Sequence, residues 1–268
     1  MSRGVLIFAF NNQHIDYVRL AAWNTNRVHE FLNLPVCLVT DTQSLDNRAQ
    51  WFDKVLCIDK PNAGTRYFED IADTVAWHNH QRYQALAISP WEETLVLDAD
   101  YVVASNQLLT LFDCKQDFMC HKSALDIKTG ASFNETFGQY RMPMWWATVM
   151  LIRPSIKTQA IFSMIEMIQQ HWDHYRNLYQ INRSTFRNDH ALSIALNLVS
   201  GYMMQAQDIA WPLLSVMPTY QLMPTDNPNK FCVEWISNQR SRHVMVQDQD
   251  FHAMGKTHLI KIMECHGV

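Results

Sequence analysis

Glycine and proline are scarce in this chain, and an excess of either charge is absent. Seven glycines and nine prolines among 268 residues, without a low-complexity segment, argue against a disordered chain. No internal repeat is found, so the chain is not an array of repeated units. The formal net charge of −4 gives no overall reason to expect a nucleic-acid partner. With 48% hydrophobic residues, the chain is long enough for one large domain with a packed core.

Paired cysteines and long hydrophobic runs are also missing. The six cysteines include no CxxC pair, which argues against a disulfide framework or a zinc site and favours reduced thiols. The apolar run at residues 5–10 is too short to span a membrane, and no small-residue cleavage site follows it. It therefore predicts a first strand rather than a signal peptide. We expect a cytoplasmic protein with no membrane partner.

Strand and helix patterns alternate over the first hundred residues. Apolar runs at 5–10, 34–40, 54–58 and 94–103 predict buried strands. Apolar residues at helical spacing predict a helix after the first strand and another over residues 71–88, ended by a proline. This alternation predicts an α/β fold, in which a mixed, mostly parallel sheet is flanked by helices.

The second half of the chain is more irregular. A strongly apolar run at 143–153 predicts a strand, and Ser155 then caps a long amphipathic helix. A further helix begins near residue 188, capped by Asn188 or Asp189. From Pro212 onward, proline and asparagine predict a loop-rich C-terminal part.

Two carboxylates, Asp98 and Asp100, stand at the end of an otherwise buried strand. Residues i and i+2 of a strand share one face about 7 Å apart, and open α/β sheets bind ligands at this edge. Burying ionised carboxylates is costly unless they are paired or bind a metal, and two oxygen donors suit Mg²⁺ or Mn²⁺. The alternative is that one Asp caps the next turn while the other is solvated.

Two segments resemble motifs of one enzyme superfamily. Residues 94–103, TLVLDADYVV, resemble the DxD strand of GT-A fold glycosyltransferases, which use nucleotide-sugar donors. Residues 251–256, FHAMGK, look like the HxxGxxK element of the retaining, glycogenin-like branch, although Lys256 follows Gly255 directly and the usual Pro-Trp is missing. The resemblance implies a metal held by Asp98, Asp100 and His252, with Gly255 and Lys256 against the donor diphosphate.

The same resemblance implies further donor contacts. Phe10 and Asn11 at the end of the first strand, and Asp41 after the second, match positions where such enzymes hold the nucleoside. Asp41 is equally explained as a turn residue. Arg82, before the DxD strand, matches a basic residue that lies against the donor phosphates, with an exposed helix arginine as its alternative.

Positions near the transferred sugar are implied in the same way. Residues 142–150, MPMWWATVM, occupy the place of a strand that carries Asn-Ala-Gly in this branch. Trp145 and Trp146 face opposite ways on a strand, so one is expected in the core and the other against a sugar or base. Residues 187–196, RNDHALSIAL, resemble a helix start whose acidic residue lies near the reacting sugar. The resemblance thus makes Asp189 a catalytic candidate, together with Asp100. The alternative for Asp189 is an ordinary acid in the first turn of the helix.

Over nearly its full length the chain looks like glycosyltransferase-like proteins of large tailed phages, on segments such as ETLVLDADYVV, QDFMCHKSALD and DFHAMGK. This resemblance suggests a double-stranded DNA acceptor with a hydroxymethylated pyrimidine such as 5-hydroxymethylcytosine, modified in the host cytoplasm. Arg176, Arg183 and Arg187, interleaved with aromatic residues, are candidates to grip the DNA. The alternative is a solvated amphipathic helix.

The sequence therefore predicts a single GT-A domain over residues 1–268, with a nucleotide-sugar half (1–103) and an acceptor half (104–268). The predicted reaction transfers a sugar from a nucleotide diphosphate sugar, UDP-linked by expectation, to a hydroxyl with Mn²⁺ or Mg²⁺, and the HxxGK match favours retention. Two alternatives stay open. One is the same chemistry on a small molecule, glycan or protein, and the other is a non-catalytic nucleotide-binding protein.

Overall fold

A computed structural model gives the fold for residues 1–60, 64–69, 71–78, 80–132, 135–182, 185–203 and 208–265. The strands are β1 (Arg3–Phe8), β2 (Val36–Thr40), β3 (Lys54–Cys57), β4 (Gly64–Phe68), β5 (Asp73–Trp77), β6 (Glu93–Asp98), β7 (Tyr101–Val102), β8 (Phe118–His121), β9 (Ala124–Asp126), β10 (Thr136–Phe137), β11 (Met142–Pro143), β12 (Trp146–Ile152), β13 (Leu213–Val216), β14 (Gln221–Met223), β15 (Lys230–Ser237), β16 (Arg240–Gln247) and β17 (Phe251–Ala253). The helices are α1 (Tyr17–Leu32), α2 (Thr42–Leu45), α3 (Ala85–Ile88), α4 (Ile156–Gln170), α5 (Trp172–Leu178), α6 (Asn188–Val199) and α7 (Lys256–Cys265), with 3₁₀ turns at Ala49–Trp51, His80–Gln84 and Gln107–Asp113.

The central sheet has six strands in the order β3-β2-β1-β6-β12-β8. The first four run parallel, and β12 is antiparallel to both of its neighbours. The strands β2 and β12 are buried along their whole length, as continuous apolar strands covered on both faces should be. The predicted fold, a mixed and mostly parallel sheet flanked by helices, is confirmed.

Helices cover the two faces of this sheet and form two hydrophobic cores. The side chains of β1 alternate between them, with Val5 and Ile7 in the core under α1 and α7, and Leu6 and Phe8 in the core under α4 and α6. Ser155 caps α4 as the sequence predicts, since its side chain accepts a hydrogen bond from Thr158 N. Among the helices of the described residues, none is long and apolar enough to cross a membrane.

The helix predicted over residues 71–88 is wrong. Part of this segment pairs instead in the antiparallel hairpin β4–β5, where Arg66 lies opposite Val75 and Tyr67 opposite Thr74. Only the 3₁₀ turn and the short α3 that follow are helical. The β-branched and aromatic residues of the hairpin favour strands, and cross-strand pairing overrides the helical spacing of the apolar residues.

Three smaller sheets complete the second half of the chain. In the first of them, β7, β17, β13 and β9 lie side by side, and β17 pairs antiparallel with β7 so that His252 lies opposite Tyr101. The strands β14, β15 and β16 form an antiparallel sheet, and β10 pairs with β11. The C-terminal part thus returns to the segment that directly follows β6.

The beginning of β6 is fixed by a buried ion cluster. Glu93, 4% exposed, accepts hydrogen bonds of 2.6 Å from Arg3 Nε and from Arg153 Nε. Arg153 also donates to the carbonyls of Phe112 and Cys114 at 2.9 and 2.8 Å. Burial raises the pKa of Glu93, but the two guanidinium groups outweigh it and lower the pKa. The end of β12 and the beginning of β6 are thereby held together.

We predict that Arg153→Met lowers the free energy of unfolding by about 3 kcal/mol, because it leaves the Glu93 charge buried with only one partner. The measurement is urea unfolding of both proteins at neutral pH. Lys115→Met, which removes an exposed cation from the same region, is the matched control and should change stability by less than about 0.5 kcal/mol. Equal losses in the two variants would contradict the assignment.

Candidate functional site

A cavity opens at the carboxyl end of β6, next to the carboxyl end of β1 and the beginning of β12. Asp98 is the last residue of β6, and Asp100 follows after one residue. His252 reaches the same place from β17, because β17 pairs with β7 immediately after the two aspartates. Asp98, Asp100 and His252 all line this cavity. The two motifs that are separated by about 150 residues in the sequence therefore form one site.

The three side chains are arranged as ligands of one metal ion. A carboxylate oxygen of Asp98, one of Asp100 and a ring nitrogen of His252 lie within 4.8 Å of one another. Two hard oxygen donors and one imidazole nitrogen suit a divalent ion such as Mn²⁺ or Mg²⁺. The set is largely shielded from solvent, with Asp100 and His252 buried and Asp98 half-buried. The residues present therefore fit a divalent cation.

Two cations already balance the two carboxylates. Lys256 Nζ lies 2.6 Å from Asp100 Oδ2, and Arg82 forms an ion pair with Asp98. A second guanidinium nitrogen of Arg82 donates to the carbonyl of Ala147 at 2.7 Å. Burial raises the pKa of Asp100, but the Lys256 ammonium and the His252 imidazole outweigh it and hold the pKa far below its usual range. Asp100 is thus kept in its ionised form.

Asp189 lies in the first turn of α6 and faces the same cavity. One carboxylate oxygen accepts a 3.0 Å hydrogen bond from Ala147 N, and the other accepts one of 2.8 Å from Arg187. Burial raises the pKa of Asp189, whereas Arg187 and the Ala147 amide outweigh it and lower the pKa. The helix begins at Asn188 with Arg187 at the cap position, so Asp189 is a fixed, ionised first-turn acid.

The residues expected at the nucleoside have different surroundings. Phe10 lines the cavity. Asn11 supports the adjoining loop, since its backbone N donates to Ser44 Oγ at 2.9 Å and its side-chain oxygen accepts from Val18 N at 3.0 Å. Asp41 caps α2 and accepts hydrogen bonds from Ser44 N and Ser44 Oγ. Neither Asn11 nor Asp41 lines the cavity; both contact Ser44 and thereby join the loop after β1 to α2.

The tryptophan pair divides as the alternation of a strand requires. Both are buried: Trp146, 3% exposed, belongs to the core under α1 and α7 and also lines the cavity, whereas Trp145 lies in the core under α4 and α6, where its backbone N donates to Ser193 Oγ at 2.8 Å. Gly255 precedes α7, where a Cβ would meet His258 Nδ1 at 3.2 Å and the backbone of Pro218 at 3.4 Å. The absence of a side chain at Gly255 thus permits the close approach of these segments.

Of the arginines expected at DNA, the two that the structure describes, Arg176 and Arg187, have different surroundings. Arg176 pairs with the exposed Asp173 at 2.6 Å on α5. Arg187 lines the cavity and pairs with Asp189, while Arg183 lies outside the described residues. The aromatic residues between them are used in packing: Trp172 stacks on His190 and meets Phe186 edge to face. No continuous basic stripe is formed by the described part of this segment.

Sequence reasoning missed the wall formed by the hairpin β4–β5. Arg66, Trp77 and His78 line the cavity from this side. A wider groove continues from the cavity and shares Arg66, Trp77, Trp146 and Arg187 with it. The alternation of residues 64–68 and the β-branched pair Thr74 and Val75 were the signal that could have identified the hairpin.

This chain is similar to several solved structures. No family model and no curated protein match it. Solved structures similar to it include the glycosyltransferase GlyE of Streptococcus pneumoniae TIGR4 (16% identity, TM-score 0.41), covering 78% of this chain and 45% of GlyE. The galactosyltransferase LgtC (14%, 0.42) is matched over 72% of this chain and 70% of its own. Mouse xyloside xylosyltransferase 1 (11% identity, TM-score 0.45) is matched over 79% of this chain and 87% of its own. The chain therefore spans less than half of GlyE, and its function has to be argued from its own residues.

We predict that Mn²⁺ stabilises the protein and that His252→Ala weakens this effect. At a metal concentration 100 times the Kd, one-site binding adds about 2.7 kcal/mol to the stability of the folded protein. Losing a ligand should raise the Kd by at least about tenfold, since even outer-shell changes cost 10–100-fold. The measurement is Tm against Mn²⁺ concentration. His174→Ala, which removes an exposed histidine of α5, should leave the titration unchanged. A His252→Ala titration equal to that of the wild type would exclude His252 as a ligand.

Proposed function

We propose that this protein is a metal-dependent glycosyltransferase, which moves a sugar from a nucleotide diphosphate sugar, first of all a UDP-sugar, to an acceptor hydroxyl. The observation that supports the proposal is the convergence of Asp98, Asp100 and His252 with Lys256 and Arg82 at the carboxyl edge of the sheet. Three ligands for a divalent ion beside two further cations complement the charge of a diphosphate.

In this proposal Asp98, Asp100 and His252 hold Mn²⁺ or Mg²⁺. The ion supplies charge neutralisation for a leaving diphosphate. Arg82 orients the Asp98 carboxylate, because the carbonyl of Ala147 anchors its guanidinium in the sheet. Lys256 adds a mobile positive charge at the first residue of α7. Phe10 lies at the end of β1, where its ring offers an apolar wall to the nucleoside.

Asp189 is proposed to face the reacting sugar. Positive charge builds on the anomeric carbon and the ring oxygen as the bond to the diphosphate breaks. A carboxylate that is fixed by Ala147 N and Arg187 and kept ionised can stabilise this charge without reorganisation. Trp146, on the same wall of the cavity, supplies a ring face for the sugar. Retention is favoured by the similarity of residues 252–256 to the element of the retaining branch.

The acceptor is proposed to enter through the groove that continues from the cavity. The hairpin β4–β5 and the segment before α6 form its walls, joined by a 3.0 Å hydrogen bond from Thr185 Oγ1 to the carbonyl of Thr65. Trp77 and Phe186 offer ring faces, and Arg66 and Arg187 offer positive charge. An extruded hydroxymethylated pyrimidine of double-stranded DNA is a suitable occupant, because a flipped base is held by stacking and the flanking phosphates by cations.

A second candidate acceptor is supported by the charge balance of this groove. Glu69 and Glu135 line it together with Arg66, Arg187 and Lys256, and the last two cations are already paired with Asp189 and Asp100. A groove with balanced charges and aromatic faces suits an uncharged, hydroxyl-rich glycan or small molecule. Both acceptors use the same donor site, so the choice between them does not affect the assignment of the metal ligands.

We predict that Asp189→Asn lowers the rate of sugar transfer by about 10²-fold or more while leaving Mn²⁺ binding unchanged. The amide can still accept from Ala147 N, but it has no negative charge to stabilise the developing positive charge. The measurement is donor turnover beside metal titration on the same preparation. Asp173→Asn, which neutralises an exposed acid of α5, is the matched control and should retain full turnover. Turnover of Asp189→Asn at the wild-type rate would remove Asp189 from the catalytic machinery.

We predict that DNA containing 5-hydroxymethylcytosine gains the mass of one sugar residue when it is incubated with the protein, Mn²⁺ and a panel of UDP-sugars. Mass spectrometry of the nucleoside digest identifies donor and acceptor together. The control reaction uses DNA with unmodified cytosine, which lacks the acceptor hydroxyl and should stay unchanged. Release of UDP without a change in the DNA would support the donor site and point to the glycan or small-molecule acceptor. No UDP release with any sugar would contradict the UDP-sugar assignment.

A further inference from the structure

One oxygen of Asp100 is contacted by two different groups. Lys256 Nζ lies 2.6 Å from Asp100 Oδ2, and His252 Nε2 lies 3.3 Å from the same atom. Asp100 and His252 are two of the three residues that can bind one ion. The ammonium group of Lys256 therefore lies against the same donor atoms that a divalent cation requires.

The two cations of the site differ in how firmly they are held. Arg82 spans from Asp98 to the carbonyl of Ala147 in β12, and its side chain is 4% exposed. Lys256 bonds, apart from Asp100, only the carbonyl of Met254 at 2.8 Å among the hydrogen bonds found in the described residues. Met254 is two residues earlier in the same segment, so this contact does not tie Lys256 to the sheet. The flexible four-carbon side chain of Lys256 can leave Asp100, whereas Arg82 is fixed.

The position of Lys256 in α7 adds to this contrast. Lys256 is the first residue of the helix and directly follows Gly255. A positive charge is unfavourable at a helix N-terminus, because the helix dipole places partial positive charge there. The Asp100 carboxylate compensates for this, so the ammonium group needs an anionic partner at this position. Such a partner can be a carboxylate or the phosphate of a ligand.

The charges of the site can be summed for each state. The carboxylates of Asp98 and Asp100 are balanced by the cations of Arg82 and Lys256, so the formal net charge of these four side chains is zero. A divalent ion on Asp100 adds two positive charges and competes directly with the ammonium group. A nucleotide diphosphate supplies negative charge that can bind both cations at once.

We propose that Lys256 competes with the divalent ion for Asp100, and that its ammonium group moves from Asp100 to the diphosphate when ion and nucleotide bind together. The competition rests on the contacts of Asp100 alone, while the transfer to the diphosphate rests on the proposed function. Lys256 thereby weakens the binding of metal alone and strengthens the binding of nucleotide. These two effects have opposite signs, which a lysine with a merely structural role would not produce.

The test measures Mn²⁺ binding by electron paramagnetic resonance and UDP binding by calorimetry on the full chain. Lys256→Met keeps the length and apolar character of the side chain without its charge. We expect it to bind Mn²⁺ about tenfold more tightly than the wild type without nucleotide, and UDP about tenfold more weakly at saturating Mn²⁺. Arg66→Met is the matched control: it removes one positive charge from the same cavity, and Arg66 forms no ion pair with the metal-binding carboxylates. It should change Mn²⁺ affinity less than threefold.

Two outcomes would overturn the competition. One is that Lys256→Met binds Mn²⁺ with an affinity equal to or weaker than that of the wild type. The other is that Arg66→Met gains as much Mn²⁺ affinity as Lys256→Met, which would indicate a general effect of charge. If Lys256→Met is unstable because Asp100 is left unpaired, the gain in Tm on adding Mn²⁺ should be larger than in the wild type, and an equal or smaller gain contradicts the proposal.

The same data separate this inference from the proposed function. Tighter Mn²⁺ binding in Lys256→Met without UDP binding to either protein would support the competition and contradict the UDP donor. Sugar transfer by the wild type together with unchanged Mn²⁺ affinity in Lys256→Met would support the glycosyltransferase and contradict the competition.

Discussion

Two carboxylates at the end of a buried strand impose the main constraint on this structure. Asp98 is the last residue of β6 and Asp100 follows it, at the end of a strand that is covered on both faces. Each carboxylate therefore needs a positive charge within contact distance. The compensation comes from separate parts of the chain: Arg82 precedes β6 by eleven residues, and Lys256 belongs to the last helix. Folding of the sheet edge therefore depends on segments that are remote in the sequence.

This constraint explains the course of the C-terminal part. The strand β17 pairs antiparallel with β7 directly behind the carboxylates, and β13 pairs parallel with β17. The helix α7 then packs against α1 in the core on one face of the sheet. These contacts bring His252 and Lys256 to Asp100 and restrict the positions that their side chains can occupy. A metal-binding constellation can then be precise although its ligands come from loops and short strands, because each segment is anchored in a core.

The parts of the site that sequence analysis predicted are those with a local signature. Asp98 and Asp100 interrupt an apolar run, and Asp189 stands in the first turn of a recognisable helix, so their neighbours in the sequence already specify the elements that carry them. The hairpin β4–β5 was missed because its pairing is between strands, while the local spacing of apolar residues is compatible with a helix. Trp145 and Trp146 could be assigned to opposite faces of β12, but the face that borders the cavity could not be predicted. That choice depends on which face of β12 is covered by α4 and α6.

In the proposed function, donor and acceptor recognition depend on different interactions. The proposed donor side is defined by charge, because an Asp-Asp-His cluster and two cations complement a metal-bound diphosphate. On the acceptor side, the charges of Arg66 and Arg187 are offset by Glu69 and Glu135, and the aromatic faces of the groove contribute more than its net charge. Stacking tolerates many planar or hydroxyl-bearing partners, so acceptor selectivity has to come from the shape of the groove. That shape is set by the hairpin β4–β5, the element whose structure the local sequence specifies least.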